Sequence, residues 1–110
     1  MDINIDKHLY NKGVLMKQEL AQLFKALSDA NRLTILERLV KGETCACTLM
    51  DGIEITQPTM SYHLKMLSDL NLTTTKKDGT WKKHYVDFDK IDDMISYLEA
   101  LKAMKGSCNL

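Results

Sequence analysis

Three cysteines are the side chains of this sequence best suited to chemistry with an ion or an oxidant. Cys45 and Cys47 are separated by one residue, and Cys108 lies near the end of the chain. The thiolate is the form that binds soft ions, and the start of a helix favours it by stabilising negative charge. Because the pattern places Cys45 in the first turn of a helix, the pair is a candidate site for a thiophilic ion. The simpler interpretation is packing, since cysteine is often a small buried hydrophobe.

The spacing of the pair sets a geometric condition on any ion that both sulfurs share. On an intact α-helix, residues i and i+2 point about 200° apart, so their side chains do not meet. Binding by Cys45 and Cys47 therefore requires that the first turn of their helix unwinds or bends. Oxidation is the other thiol chemistry to consider, in which Cys45 joins Cys108 or a cysteine of another copy of the chain.

Hydrophobic periodicity predicts two helices before this pair, one across it and one after it. The first is predicted over 14–27, and the second is capped by Ser28 or Asp29 and stopped by Gly42. The third begins near Thr44, whose hydroxyl can cap it, and Thr56 caps the fourth. The predicted core-facing residues of the first, second and fourth helices are Leu20, Leu23, Phe24 and Leu27, then Leu33, Leu36, Leu39 and Val40, then Met60, Leu64 and Leu67.

The fourth helix is predicted to present a polar face to DNA. At about 100° per residue its polar side chains lie opposite the buried stripe, and its N-terminal end is where a recognition helix meets base edges. The candidate contacts are Gln57, Thr59, Ser61, Tyr62, His63 and Lys65. His63 lies nearer the buried edge, and its packing and phosphate-contact interpretations carry equal weight. A bent third helix is expected to displace Gln57, Ser61 and Tyr62 from the groove.

Two β-favouring runs, 72–77 and 80–88, follow this helix with Asp78-Gly79 between them. An Asp-Gly pair in this position predicts a hairpin with a type I′ turn, which needs positive φ at both central residues. Between Thr56 and Tyr85 there are five lysines and two aspartates, a net charge of +3 in a formally neutral chain. The candidate phosphate contacts near the hairpin tip are Lys76, Lys77, Lys82 and Lys83. These lysines could instead form only a solvated edge that discourages strand pairing.

The last helix, predicted from Asp89, carries the apolar stripe Ile91, Met94, Ile95, Leu98 and Leu101. A chain of 110 residues forms one domain and is small enough to favour a partner, so we expect this stripe to form a dimer interface. The alternative is that the stripe covers only its own core. No apolar run reaches the ~18 residues of a membrane span, and the N-terminus lacks a signal core, which predicts a cytoplasmic protein.

The order of these features resembles the ArsR/SmtB family of metal(loid)-responsive repressors. The matching stretches are LFKALSDANRLTILERLVKGE (23–43), CACTLM (45–50), TQPTMSYHLKMLSDLNL (56–72) and KKDGTWKKHY (76–85). The resemblance implies a mainly α fold with a small β-hairpin, the winged helix-turn-helix, in a single domain over 1–110. It also implies a homodimer formed through the first and last helices, which binds double-stranded operator DNA and leaves it when an ion binds.

The resemblance also ranks the inducers. Arsenic-responsive members often carry a third cysteine three residues after the Cys-x-Cys pair, where this chain has Met50, which leaves Cys108 or a group such as hydroxide as the third ligand. Cadmium- and lead-responsive relatives add cysteines near the N-terminus, and zinc and nickel sensors place histidines on the last helix. This chain has neither. The expected inducer is therefore As(III) or Sb(III), ranked ahead of Cd(II), Pb(II) and Zn(II), at Cys45, Cys47 and Cys108.

Three other functions remain to be weighed. A repressor of the same fold could respond to thiol oxidation, and a winged helix could bind protein without binding DNA. A thiol oxidoreductase is disfavoured, because no Cys-x-x-Cys lies in a βαβ pattern and no Ser-His-Asp arrangement is indicated. We expect no enzymatic activity and no required cofactor.

Overall fold

Five helices and one β-hairpin make up the part of the chain that this computed structural model describes, residues 17–106 without the side chain of Cys47. The elements are α1 (Lys17–Ala26), α2 (Ala30–Val40), α3 (Ala46–Leu49), α4 (Gln57–Asp69), β1 (Thr73–Asp78), β2 (Trp81–Val86) and α5 (Phe88–Met104). The prediction of a mainly helical domain with a small hairpin is confirmed. Cys108 and the start of the first predicted helix lie outside the described residues.

Polar N-caps fix where the longer helices begin. The Asp29 carboxylate accepts a hydrogen bond of 3.0 Å from the Arg32 backbone amide at the start of α2. The Thr56 hydroxyl accepts one of 3.3 Å from the Thr59 amide at the start of α4. Both caps are as predicted, and each satisfies a donor that a helix terminus otherwise leaves unpaired. Asp87 caps α5, which therefore starts one residue before the predicted position.

The core lies where α1, α2, α4 and the N-terminal half of α5 meet. The core-forming residues are Leu20, Leu23, Ala26, Ile35, Leu36, Leu39, Leu49, Met60, Leu64, Leu67, Leu72 and Met94. On α2 the sequence prediction was partly wrong, since Leu33 and Val40 are 44% and 54% exposed. They are seven residues apart and share a second face of the helix, whereas Ile35, which is fully buried, holds the core position.

The apolar stripe of α5 is divided between the protomer's own core and its surface. Met94 is 4% exposed and belongs to the core, which corrects its assignment to a dimer interface, and the half-buried Ile91 packs against that core. Ile95, Leu98 and Leu101 remain 47%, 49% and 45% exposed. Neither α5 nor any other helix within residues 17–106 is long and apolar enough to cross a membrane.

The hairpin formed by β1 and β2, called the wing below, is antiparallel as predicted, but its turn lies one residue further along. Asp78 pairs with Trp81, so the two-residue loop is Gly79-Thr80. Gly79 has a φ of 66°, and the one non-glycine residue of the described range with positive φ is Asn71. Positive φ at the first central residue alone fits a type II′ turn with glycine there, in place of the predicted type I′.

Candidate nucleic-acid interface and thiol site

The recognition helix, α4, is anchored on one side and exposed on the other. Met60, Leu64 and Leu67 are 1%, 6% and 0% exposed and hold it in the core. The side chains predicted to face DNA are exposed with one exception: Gln57, Thr59, Ser61, Tyr62 and Lys65 are on the surface. Their contact with DNA stays a prediction.

His63 is the exception, and the structure gives it a packing position. It is 6% exposed, and its Nδ1 lies 3.0 Å from Nη1 of Arg32, which is itself 8% exposed. The guanidinium Nε of Arg32 donates a second bond of 2.6 Å to the carbonyl of Ala26. A buried cation needs such partners, and an imidazole that is 6% exposed offers a phosphate almost no surface. The equally weighted packing interpretation therefore replaces the DNA contact predicted for His63.

The lysines of the wing lie opposite one another across the two strands. Lys76 pairs with Lys83, and Lys77 pairs with Lys82. Like charges in this position repel, which favours an anion at the wing. Lys83 forms an ion pair of 2.9 Å with Asp78, which reduces this repulsion. The hydrogen-bonded Asp78 carboxylate also raises the pKa of Lys83.

The positive charges of the other wing lysines are less well balanced by neighbouring groups. Nζ of Lys76 lies 5.4 Å from the ring centroid of Tyr85, a cation–π contact. Within residues 17–106 no acidic side chain forms an ion pair with Lys77 or Lys82. These two lysines are therefore the ones best placed to accept a phosphate.

Cys45 precedes its helix instead of lying in the first turn. It is the N-cap of α3, with extended backbone at φ −101° and ψ 135°. The prediction that Thr44 caps this helix is therefore wrong. The helix has four residues, and Thr48 Oγ1 donates a bond of 2.9 Å to the Cys45 carbonyl. Cys45 therefore lies outside the one short turn that the sequence analysis expects to bend.

The side chain of Cys45 lies at a cavity of about 550 Å³ between the start of α3, the recognition helix and the wing. This thiol cavity is lined by Cys45, Ala46, Gln57, Ser61, Leu64, Lys65, Ser68, Thr75, Trp81, Lys82 and His84. It thus brings a candidate ion ligand together with four of the candidate DNA contacts. Met50, at the position of the family's third cysteine, lines a different depression with Thr48 and Asp51.

His84 is a member of this cavity that the sequence analysis did not single out. It is 9% exposed, and its Nδ1 lies 3.2 Å from the hydroxyl of Thr75. Burial, with a smaller contribution from Lys82, lowers the pKa of the imidazole and favours its neutral form. The His84 backbone amide also donates a bond of 3.0 Å to the carbonyl of Thr44. The alternation of β2 could have indicated the inward direction of His84, but not its neighbours.

Comparison with known proteins identifies the family. Residues 29–74 match the model described as bacterial regulatory protein, arsR family. The arsenical resistance operon repressor of Staphylococcus aureus is 40% identical over 91 residues, which cover 83% of this chain and 88% of that protein. The chain belongs to the arsR family. This arsR-family chain is therefore a transcriptional regulator, and its relatives belong to a class of proteins that are not enzymes.

Solved structures give the same fold. An ArsR-like transcriptional regulator from Rhodococcus sp. RHA1 has a TM-score of 0.70 and 27% identity, covering 78% of this chain and 81% of that one. A homodimeric winged helix-turn-helix DNA-binding domain from Mycobacterium bovis has a TM-score of 0.65 and 20% identity, covering 90% and 94%. The arsR-family chain thus has the predicted winged helix-turn-helix fold, in which α3 and α4 form the helix-turn-helix and the hairpin is the wing.

Proposed function

We propose that this arsR-family regulator is a repressor that binds operator DNA as a homodimer and releases it when As(III) or Sb(III) binds Cys45 and Cys47. The observation that carries the proposal is the thiol cavity, because one space is lined by Cys45 and by Gln57, Ser61 and Lys65 of the recognition helix. The name of the S. aureus relative, an arsenical resistance operon repressor, supports arsenic as the inducer.

The DNA-binding half of the proposal rests on exposure and charge. Tyr62 is 57% exposed on the recognition helix, beside the smaller polar residues that would read base edges. Lys77 and Lys82 extend the positive surface onto the wing, where they would contact phosphates. Each such contact is expected to contribute about 0.9 to the slope of log affinity against log salt.

The inducer-binding half rests on the position and chemistry of Cys45. Its side chain is half-buried at a cavity wide enough for an ion, and thiolates are the ligands that soft ions prefer. Cys45 and Cys47 would hold the ion, with Cys108 as a further sulfur donor, and the bound ion would supply a crosslink between thiolates.

The resulting movement would pass to the DNA-binding surface through the core that α3 shares with the recognition helix. Leu49 at the end of α3 is fully buried in the core with Met60 of the recognition helix. Packed cores change between discrete arrangements more readily than they stretch. A coupling of about 1–3 kcal/mol weakens DNA binding by roughly 5- to 150-fold, which is enough for induction.

The homodimer is proposed from the exposed half of the α5 stripe. Ile95, Leu98 and Leu101 form an apolar surface that a second copy would cover. The similar domain from M. bovis is homodimeric, which supports a dimer. Two-fold symmetry places two recognition helices about 34 Å apart, so the operator would be pseudo-palindromic. A repressor acts where the chromosome is, and the proposal therefore includes a cytoplasmic location.

A DNA-binding titration tests the proposal directly. The DNA upstream of the regulator's own gene is titrated at fixed salt with wild type and with Cys45→Ser, Cys47→Ser and Cys108→Ser variants. We expect arsenite to release the wild type, and the first two variants to bind DNA normally but ignore arsenite. Release by peroxide but not by arsenite would instead support a redox repressor, and no DNA binding at all would support a protein-interaction module.

A further inference from the structure

We propose that His84 of the wing is a direct ligand of the ion bound at Cys45, so that the inducer site joins the loop before α3 to strand β2. The donor set is then the thiolates of Cys45 and Cys47 and the imidazole of His84, which takes the place that the proposed function gives to Cys108. This inference rests on the proposed function and adds to it a third ligand within the described residues.

The first support is proximity through the backbone. The His84 amide donates a bond of 3.0 Å to the carbonyl of Thr44, the residue directly before Cys45. Consecutive Cα atoms are about 3.8 Å apart, so Cys45 lies one residue from a main-chain contact with His84. Both side chains line the thiol cavity.

The second support is the way in which the imidazole is held. Its Nδ1 lies 3.2 Å from the Thr75 hydroxyl, which leaves Nε2 as the nitrogen for a ligand bond. A histidine that binds metal is usually oriented in this manner by a hydrogen bond at its other nitrogen. The ring is 9% exposed, so it has little rotational freedom to lose when an ion binds.

The third support is that the cavity offers few other donors. Among its described lining residues, Cys45 and His84 are the only thiol and the only imidazole, and none carries a carboxylate. Met50 lines another depression and does not share this space. A set of two sulfurs and one nitrogen suits Zn²⁺ and Cd²⁺ and gives As(III) its three bonds without a third cysteine.

The chain contains its own reporter for the test. Trp81 is its single tryptophan and lines the same cavity. The full chain, reduced, is titrated with Cd²⁺ alone and with arsenite alone while Trp81 fluorescence is recorded. Wild type is compared with His84→Gln, with Cys45→Ser, and with Lys102→Ala, which changes an exposed residue of α5 that does not line the cavity.

We expect His84→Gln to bind Cd²⁺ about tenfold more weakly or worse, and Lys102→Ala to bind like the wild type. Unchanged Cd²⁺ affinity in His84→Gln, with affinity lost in Cys45→Ser, would overturn this inference and leave the proposed function intact. Unchanged affinity for both ions in Cys45→Ser would remove the proposed function as well.

A second measurement keeps the test valid if His84→Gln does not fold. The imidazole ¹⁵N resonances of the wild type are recorded with and without Cd²⁺. A large shift confined to Nε2 of His84, with its Nδ1 and the ring of His63 little changed, is the expected result. Ring resonances that stay unchanged at saturating Cd²⁺ would overturn the inference.

Discussion

Nη1 of Arg32 lies 3.0 Å from Nδ1 of His63, a buried contact that joins α2 to the recognition helix. The same guanidinium donates to the carbonyl of Ala26 at the end of α1, so one side chain links three helices. His63 is directly followed along the helix by a core leucine and preceded by the exposed Tyr62. The contact thus fixes the rotation of the surface proposed to meet DNA.

Replacing Arg32 with methionine should destabilise the fold and weaken DNA binding together. The change leaves the Ala26 carbonyl and the His63 ring without their donor, and an unsatisfied buried group costs about 1–3 kcal/mol. Urea unfolding measures the loss, and Lys41→Met, which changes an exposed cation at the end of α2, is the control. A stability equal to that of Lys41→Met would contradict the linking role of Arg32.

His63→Gln separates a positioning role from a phosphate contact. Because His63 is buried, we expect DNA affinity to fall while the salt dependence of binding stays as in the wild type. Loss of a direct phosphate contact would reduce the slope of log affinity against log salt by about 0.9. Filter binding at several salt concentrations decides between the two, and a reduced slope would restore the contact predicted from the sequence.

Lys77→Ala and Lys82→Ala should each weaken DNA binding to all sequences and reduce the salt slope by about one. These two lysines form no ion pair in the described part of the chain, so nothing competes with phosphate for them. Lys83 is held by Asp78 at 2.9 Å, and Lys83→Ala should therefore have a smaller effect. Lys102→Ala on α5 is the control, and slopes equal to this control for all three would leave the wing as a solvated edge only.

The burial of His84 predicts that the stability of the fold depends on pH. Its pKa in the folded chain is below the ordinary 6.5, so the unfolded chain binds the proton more readily. Stability is then complete above pH 6.5 and falls as the pH drops toward the folded pKa. Urea unfolding at pH 7.5 and at pH 5.5 should show a larger loss for wild type than for His84→Gln. An equal loss in both proteins would mean that other groups cause the acid sensitivity.

The sequence carried enough information for the helices and not enough for the thiol cavity. Periodicity placed Met60, Leu64 and Leu67 correctly because a helical stripe depends only on local spacing. Periodicity could not show which face of α2 is buried, because Leu33 and Leu36 both continue apolar repeats. Only the packing of the other helices against α2 determines which of the two is buried. Tertiary packing therefore decided what local pattern left open.

The hairpin register shows the same limit. A turn at Asp78-Gly79 would have placed His84 opposite Thr73, whereas the observed turn pairs it with Thr75. Strand pairing is set by turn geometry and by the buried face together, and a shift of one residue in the turn changes every cross-strand neighbour. The hydroxyl that orients His84, and its approach to Cys45, could not be read from the sequence.

The proposed dimer can be tested with two leucines of nearly equal exposure. Leu101 on α5 is 45% exposed and Leu33 on α2 is 44% exposed. We expect Leu101→Glu to shift the protein to a monomer, because a buried charge without a partner is strongly unfavourable at an apolar interface. Leu33→Glu should leave the oligomeric state unchanged, and analytical ultracentrifugation measures both.

The monomer should bind a single half-site weakly and lose its preference for the pseudo-palindrome, since that preference needs two linked recognition helices. Dissociation by Leu33→Glu with no effect of Leu101→Glu would move the interface to α2.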